Sequence, residues 1–265
     1  MVEQYRRGKK KGLLLGNHQR CWVWGRNVVL ETLRAGHWPI LELYCSDQLE
    51  LDEMKEVHLL AKQNNIEVHF ETNTSLHKRC HSAEHQGHLA KMPPFPYAES
   101  LSLLTRLIKT IKYPLLVICD AIQDPYNLGA LIRSAEALGV DGIFIGTTHQ
   151  VGVTSIVARS SAGAVNHIPI SRTENLEEII DVAKSHGIQV IGTHDTSGIP
   201  AFECNLKKPT VMIIGNEGHG MRDSLRNRSD QLIHIPQHGA ISSLNAAVSA
   251  GILFYETRRQ RKQKK

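Results

Sequence analysis

Three polar segments each follow an apolar run typical of a β-strand, and each carries side chains able to contact a ligand. The first places Asn127 in a loop and Arg133 about one and a half turns into the following helix, so the two can face the same mouth. The second carries Glu217, whose carboxylate suits a cationic ligand or a partner arginine. Because ligands in open α/β sheets bind beyond the carboxyl ends of strands, the segments are candidate binding loops.

Each segment taken alone also has a purely structural explanation. The Asp-Pro-x-Asn sequence from Asp124 to Asn127 is usually a turn followed by a helix cap. Ser242, Ser243 and Asn245 are typical of a helix start, and the small residues after them favour close helix packing. The glycines of the second segment are ordered Gly-x-x-Gly-x-Gly, which differs from a dinucleotide loop, and a carboxylate there repels a pyrophosphate. A Rossmann dehydrogenase or a nucleotide hydrolase is therefore excluded.

The elements that must position these loops alternate between strand and helix. Such alternation predicts an α/β fold with a mostly parallel sheet covered on both faces. The predicted strands are 40–45, 66–70, 115–119, 142–145, 188–192, 211–214 and 232–235. The predicted helices are 26–34, 49–63, 101–111, 128–138, 176–186 and a last helix from Ser242 or Ser243 to about Thr257.

Composition narrows the class of protein. Apolar residues make up 41% of the chain, no apolar run reaches about 18 residues, and no apolar stretch follows the basic start, so neither a membrane span nor a secretory signal is expected. The five cysteines are scattered, which argues against disulfides and favours the cytoplasm, or an organelle matrix in a eukaryote. Of the 31 lysines and arginines, 11 lie in 1–12 and 258–265, and such cationic ends suit a polyanion or simply maintain solubility.

The three segments together resemble the motifs of the SpoU family of RNA ribose 2′-O-methyltransferases, within the SPOUT superfamily, over about residues 115–258. The motifs are Asp124-Pro-x-Asn127-x-Gly129-x-x-x-Arg133-Ser134-Ala135, Gly215-Asn216-Glu217-Gly218-x-Gly220 and Ile235-Pro236-x-x-Gly239-x-x-x-Ser243-Leu244-Asn245. The N-terminal part is similar to the small substrate-binding domain of the ribosomal-RNA branch, through Gly25-Arg26-Asn27-Val28-Val29-Leu30-Glu31 and His85-Gln86-Gly87.

The resemblance implies a C-terminal α/β knot, a trefoil-knotted parallel sheet with helices on both faces, preceded by a small α/β domain. Ordinary topology rules would not lead to a knot. Family members act as homodimers, which implies that 244–255 contributes to an interface. With the stiff Pro93-Pro94-Phe95-Pro96 as a boundary, the predicted divisions are a basic flexible extension (1–19), an RNA substrate-binding domain (20–92), a linker and connecting helix (93–112), the catalytic domain (113–258) and a basic tail (259–265).

The resemblance also implies a cofactor and its contacts. S-adenosyl-L-methionine is the implied cofactor, held mainly by main-chain groups at Gly215, Ile235 and Leu244, with Thr193 on a neighbouring loop. Ala247 stands where relatives have a serine, which removes one hydroxyl near the site. The implied catalytic residues are Asn127, Arg133, Glu217, Ser243 and Asn245.

A role for Arg133 follows from the chemistry of its side chain. A guanidinium stays protonated in proteins, so it is a poor general base. We hypothesise that Arg133 holds the phosphate beside the target ribose and that this phosphate accepts the hydroxyl proton. Glu217 then orients Arg133, while Asn127, Ser243 and Asn245 position the ribose and the cofactor.

The resemblance of the N-terminal part to a substrate-binding domain indicates that the substrate is a structured RNA. It favours a guanosine of large-subunit ribosomal RNA over transfer RNA as the target. The predicted RNA-binding residues are Arg26, Lys78, Arg79 and His85. The alternatives are a transfer-RNA enzyme and a non-enzymatic RNA-binding or ribosome-assembly factor on the same scaffold.

A metal site is a further alternative, because four histidines lie at helical spacing. However, Gly87 interrupts the pattern, so no metal is expected. The histidines are His77, His81, His85 and His88.

Overall fold

A computed structural model describes residues 14–18, 20–216, 218–239 and 243–262. The chain divides into two compact units, residues 1–96 and 97–265. Glu217 and Ser242 lie outside the described residues, as do residues 1–13 of the predicted extension and 263–265 of the predicted tail.

The first unit is built on a four-stranded mixed sheet. Its elements are β1 (Trp22–Trp24), α1 (Arg26–Ala35), β2 (Glu42–Ser46), α2 (Leu51–Gln63), β3 (Val68–Glu71), α3 (Asn73–Cys80) and β4 (His88–Lys91). The strand order is β1-β4-β2-β3; β2 and β3 are parallel and the other pairs are antiparallel. The segment 93–96, predicted to begin a linker, belongs to this unit, where the indole N–H of Trp38 donates to the carbonyl of Pro93 at 3.0 Å.

The four histidines considered as a metal site lie in different local structures, because α3 ends at the second of them. It begins after Thr72, whose hydroxyl accepts the N–H of Ser75, and it ends at His81, which has a left-handed backbone with φ of 52°. His85 follows in a loop and His88 begins β4, so the four do not share one helix face. Within the described part of the chain, no three or more His, Cys, Asp or Glu side chains are grouped to hold a metal ion.

The second unit is built on a seven-stranded sheet whose strand pairs are all parallel. Its elements are α4 (Ser100–Thr110), β5 (Leu115–Cys119), α5 (Pro125–Ala137), β6 (Gly142–Ile145), α6 (Ser155–Ser160), a 3₁₀ turn (Ala164–Asn166), β7 (Ile170–Arg172), α7 (Leu176–Ser185), β8 (Gln189–Thr193), β9 (Ile199–Pro200), β10 (Thr210–Ile214), α8 (Asp223–Arg226), β11 (Gln231–His234) and α9 (Ala246–Lys262). The strand order is β7-β6-β5-β10-β8-β11-β9. The predicted α/β class is confirmed, and the knot stays a prediction.

The centre of this sheet is buried on both faces. Every residue of β5 and β10 is buried, as expected for parallel strands covered by helices on each side. Helices α4 and α7 contribute to the core on one face, and α5 packs against α9 and α6. The predicted connecting helix α4 is therefore part of the second unit's core, through Leu103, Leu104 and Leu107.

Helix α5 begins three residues before its predicted start. Asp124 is the N-cap, and its carboxylate accepts the N–H of Tyr126 at 3.0 Å. Pro125 is tolerated at the first helical position, because the N–H it lacks would have no partner there. Asn127 consequently lies in the first helical turn, not in a loop.

Helix α9 begins later and ends later than predicted. Asn245, not a serine, caps it: the Asn245 side-chain oxygen accepts the N–H of Ala247 at 3.0 Å and of Val248 at 3.2 Å. At the other end, Arg261 donates to the carbonyl oxygens of Tyr113 and Lys208 at 2.7 and 2.8 Å. Residues 259–262, predicted to begin a basic tail, are therefore part of the last helix, which is anchored to the second unit. No helix among the described residues is both long and apolar enough to cross a membrane.

Candidate active site

A cavity of about 200 Å³ opens where β8, β10 and β11 end, and the start of α9 forms one of its sides. The carboxyl edge of a parallel sheet is the usual location of a ligand site. The wall contains all four residues predicted to bind the cofactor: Thr193, Gly215, Ile235 and Leu244. Four separate positions of the sequence therefore meet at one cavity.

Main-chain groups form part of the cavity wall. A Cβ added to Gly215 would lie 2.4 Å from the main-chain nitrogen of Met221, so no side chain fits at this position. Within the described residues, the main-chain N–H and C=O groups of Gly215, Ile235 and Leu244 form no hydrogen bond with another main-chain group. Backbone polar groups of this kind need partners, so these are available to a ligand.

Two histidines that the sequence analysis did not single out also line the cavity. The Nδ1 atom of His234 is buried and has no hydrogen-bond partner in the described part of the chain. The Nδ1 atom of His194 accepts the N–H groups of Thr196 and Ser197, at 3.2 and 3.1 Å. An orphaned buried nitrogen in a cavity wall indicates that a ligand or water completes the site. Their positions at the ends of predicted strands are the signal that would have found them.

Two of the predicted catalytic residues contact each other directly. The side-chain amide of Asn245 donates to the side-chain oxygen of Asn127 at 2.9 Å. Leu244, in the cavity wall, precedes Asn245 in the chain, so this pair lies beside the cavity. Side-chain amides carry both a donor and an acceptor, the groups that orient a hydroxyl-bearing substrate.

An ion pair joins Arg222, two residues after the second motif, to Asp120, the residue that follows β5. The carboxylate of Asp120, only 1% exposed, accepts from the Arg222 side chain at 2.7 and 2.6 Å and from the Arg222 main-chain N–H at 2.8 Å. Nearby, the side-chain amide of Asn216 donates to the carbonyl of Ala121 at 2.9 Å. Charge-assisted bonds are stronger than neutral ones, so this contact holds the glycine-rich loop against the carboxyl end of β5.

Two further predicted catalytic residues, Arg133 and Ser243, lie outside the cavity wall. Arg133 is exposed on α5 and forms no ion pair with any described residue. Ser243 is half-buried and does not line the cavity. Glu217, predicted to orient Arg133, lies outside the described residues. The predicted site thus separates into a cofactor-type cavity, an asparagine pair beside it and an exposed arginine.

Arg79, predicted to bind RNA, already has partners within the first unit. Its guanidinium donates to the carboxylate of Glu71 at 2.6 and 3.0 Å and lies 4.1 Å from the ring centroid of Tyr44. The same hydrogen bonds hold the pKa of Glu71 below its usual range. These contacts indicate a structural role for Arg79.

The remaining RNA-binding candidates differ in their surroundings. Arg26 is paired with Glu53 at 2.5 Å, with about half of its side chain exposed. Lys78 is exposed on α3. His85 is buried and lines a second cavity, within the first unit.

Comparison with known proteins identifies the family. A model of the SpoU rRNA methylase family matches residues 114–255, and a model of the RNA 2′-O ribose methyltransferase substrate-binding domain matches residues 22–98. A Bacillus subtilis protein named as a TrmH family tRNA/rRNA methyltransferase, YacO, is 34% identical over 92% of this chain and 98% of its own length.

Solved structures give the same result. The SpoU methyltransferase AviRb from Streptomyces viridochromogenes, in complex with S-adenosylmethionine, is 26% identical with a TM-score of 0.76, over 94% of this chain and 95% of its own. An S-adenosylmethionine-bound rRNA methyltransferase from Sinorhizobium meliloti is 26% identical with a TM-score of 0.74, over 91% and 87%. By sequence and by fold, this chain belongs to the SpoU rRNA methylase family.

Proposed function

We propose that this protein transfers a methyl group from S-adenosylmethionine to the ribose 2′-hydroxyl of a guanosine in large-subunit ribosomal RNA. The observation that carries the proposal is the placement of the Asn127–Asn245 pair beside the cavity, through the adjacent residues Leu244 and Asn245. The match of residues 22–98 to an RNA 2′-O ribose methyltransferase substrate-binding domain supports the ribose 2′-hydroxyl as the acceptor. The description of the family as rRNA methylases supports ribosomal RNA as the substrate.

The cavity wall fits S-adenosylmethionine. The main-chain groups of Gly215, Ile235 and Leu244, which have no main-chain partner among the described residues, can form hydrogen bonds with the polar edges of a nucleoside. The buried Nδ1 atom of His234, which also has no partner there, can form another. Leu244 and Leu253 offer apolar contacts. Bound there, the cofactor supplies a methyl group that its sulfonium has already activated. The protein therefore has to position the ribose oxygen and provide a route for its proton.

Asn127 and Asn245 fit the positioning role. The oxygen of the Asn245 side chain caps α9 and one of its N–H groups donates to Asn127, so its second N–H is the group that we assign to the ribose hydroxyl. Ser243, two residues before Asn245, adds a hydroxyl near the same place.

Arg133 fits the role of a phosphate ligand. Its side chain is exposed and forms no ion pair with a described residue, so it is accessible to a phosphate of the RNA. In the proposed step, Arg133 holds the neighbouring phosphate by two parallel bonds, and that phosphate oxygen takes the 2′-hydroxyl proton. Glu217 orients the guanidinium.

An exposed apolar stripe on α9 supports a homodimer. Val248, Ile252 and Tyr255 are 41 to 62% exposed and spaced by four and three residues, so they share one face of α9, and Leu244, 36% exposed, lies two residues before the helix. A contiguous apolar face of this kind marks an interaction surface. We infer that the stripe packs against the same stripe of a second copy.

Methyl transfer to RNA lacking the modification tests the function. Total RNA from cells without this protein is incubated with the purified enzyme and labelled S-adenosylmethionine, and 2′-O-methylation is mapped by primer extension. A single new stop in large-subunit RNA supports the proposal, and a stop in transfer RNA favours the alternative substrate. Calorimetric binding of S-adenosylhomocysteine without methyl transfer to any RNA would contradict the proposal. If neither S-adenosylhomocysteine binding nor methyl transfer is detected, the result favours an RNA-binding factor.

A further inference from the structure

The first unit contains its own cavity, of about 650 Å³, where β2 and β3 end and α3 begins. This volume lies in the range of about 300–1,000 Å³ typical of small-molecule sites. The motif His85-Gln86-Gly87, which methyl transfer does not use, forms part of its wall. Its polar lining residues are Ser46, Gln48, Asn73, Thr74, His77, His85 and Gln86.

Hydrogen bonds and close packing fix the conformation of this motif. His85 is 6% exposed, and its Nδ1 accepts the N–H of Gly87 at 3.1 Å. The carbonyl of Gly87 accepts the N–H of Ser46 at 2.9 Å. Gly87 has a φ of 74°, and a Cβ there would lie 2.6 Å from the side chain of Leu49, so only glycine fits. The motif is therefore held in one conformation before any ligand arrives.

Side-chain amides leave unused hydrogen-bonding positions on this wall. The Oε1 atom of Gln48 accepts from the Asn73 amide at 2.9 Å, which leaves the Gln48 NH₂ and the Asn73 oxygen. The Oε1 atom of Gln86 accepts the N–H of Arg26 at 3.0 Å, which leaves the Gln86 NH₂. The wall thus presents both donors and an acceptor, with the apolar side chain of Leu49 beside them.

We propose that this cavity receives one unstacked nucleobase of the RNA substrate. Proteins that read RNA by sequence take up bases splayed from the helix and bond their edges, which carry donors and acceptors together. Lys78, which follows the lining residue His77 in α3, is exposed. The proposal rests on the proposed function in one respect only, namely that RNA is the substrate.

Binding of matched probes to the full-length protein tests the cavity. One probe is a fluorescent mixed-sequence octaribonucleotide with all four bases; the other is an octamer with the same phosphates but abasic riboses. We expect the first to bind about tenfold tighter, which corresponds to about 1.4 kcal/mol. Ala83→Trp, which fills the cavity from its rim, and Gln48→Ala should remove this preference and leave the abasic affinity unchanged.

Gln63→Ala, at an exposed glutamine at the end of α2, is the matched control and should behave as the wild type. Equal affinity of the wild type for both probes, with variants unchanged, would overturn the proposal and indicate contact through phosphates alone. In the methyl-transfer assay, Ala83→Trp should raise the KM for RNA about tenfold with kcat within about twofold. An unchanged KM would also overturn it. Failure of the wild type to methylate RNA, by contrast, counts against the proposed function and leaves the probe comparison valid.

Discussion

The side-chain amide of Asn245 donates a 2.9 Å hydrogen bond to the side-chain oxygen of Asn127, a residue 118 positions earlier in the chain. The other end of the Asn245 amide accepts the N–H groups of Ala247 and Val248. One side chain therefore caps α9 and holds the first turn of α5. The geometry of the proposed ribose site is consequently set by two helix starts, which are more rigid than loops.

Asn245→Asp separates the two roles of Asn245. Aspartate keeps an oxygen that caps α9 but has no N–H to donate to Asn127, so we expect unchanged stability and a loss in turnover of about tenfold or more. Asn245→Ala should lose turnover and, in addition, about 1 kcal/mol of unfolding free energy. Single-turnover methyl transfer and urea unfolding measure the two effects. Wild-type turnover in Asn245→Asp would show that the contact is only structural.

Arg133→Lys tests bidentate phosphate binding. Lysine keeps the charge but offers no planar pair of donors, so turnover should fall about 100-fold. Calorimetric affinity for S-adenosylhomocysteine should not change, because Arg133 does not line the cofactor-type cavity. Arg106→Lys, on the exposed side of α4, is the control and should have no effect. Near-normal turnover of Arg133→Lys rules out the two-bond role.

Arg222→Ala tests the contact that holds the glycine-rich loop. The variant leaves the buried carboxylate of Asp120 without its charged partner, which costs about 3 kcal/mol or more of unfolding free energy. Asp120→Asn, which removes the charge but keeps an acceptor, should cost less. Urea unfolding gives both values. A loss below about 1 kcal/mol in Arg222→Ala would mean that the ion pair adds little.

Ile252→Glu tests the apolar stripe on α9. A carboxylate at the centre of the stripe cannot be buried without a partner, so the variant should be monomeric by light scattering. Leu59→Glu is the matched control, because Leu59 is 59% exposed on α2 and lies outside the stripe. If both variants match the mass of the wild type, the stripe is not the interface.

Buried thiols predict a loss of stability in alkali. Burial raises the pKa of the Cys119 thiol to about 12, whereas the unfolded thiol ionises near 9. Above pH 9 the unfolded state therefore releases a proton that the folded state retains, and stability falls as the pH rises. For Cys119 the loss at pH 10 is about 1.4 kcal/mol. Cys119→Ala should reduce the slope of unfolding free energy against pH between 8 and 10, and an unchanged slope would contradict this assignment.

The most buried strands were the most predictable from the sequence. β5 and β6 have their predicted bounds, because strands covered on both faces are continuous apolar runs. β1 and β9 were not predicted: they are three and two residues long, and such short strands depend on partners distant in the sequence. The start of α9 was misplaced because several consecutive polar residues are good caps, and the fold selects Asn245.

The sequence predicted which residues line the cavity better than it predicted the partners of individual side chains. Glycine and strand-end positions are local signals, and Thr193, Gly215, Ile235 and Leu244 do meet at one cavity. The pairing of Arg79 with Glu71 depends on how α3 folds back on β3, which no local pattern reveals.

Helix α9 serves two surfaces at once. Leu244, Ser249 and Leu253 line the cofactor-type cavity, while Val248 and Ile252 between them belong to the exposed stripe. On the proposal that the stripe is a dimer interface, the same helix borders the small-molecule cavity and the partner copy. Reciprocity then requires that self-association changes the affinity for the small molecule by the same factor by which the small molecule changes self-association.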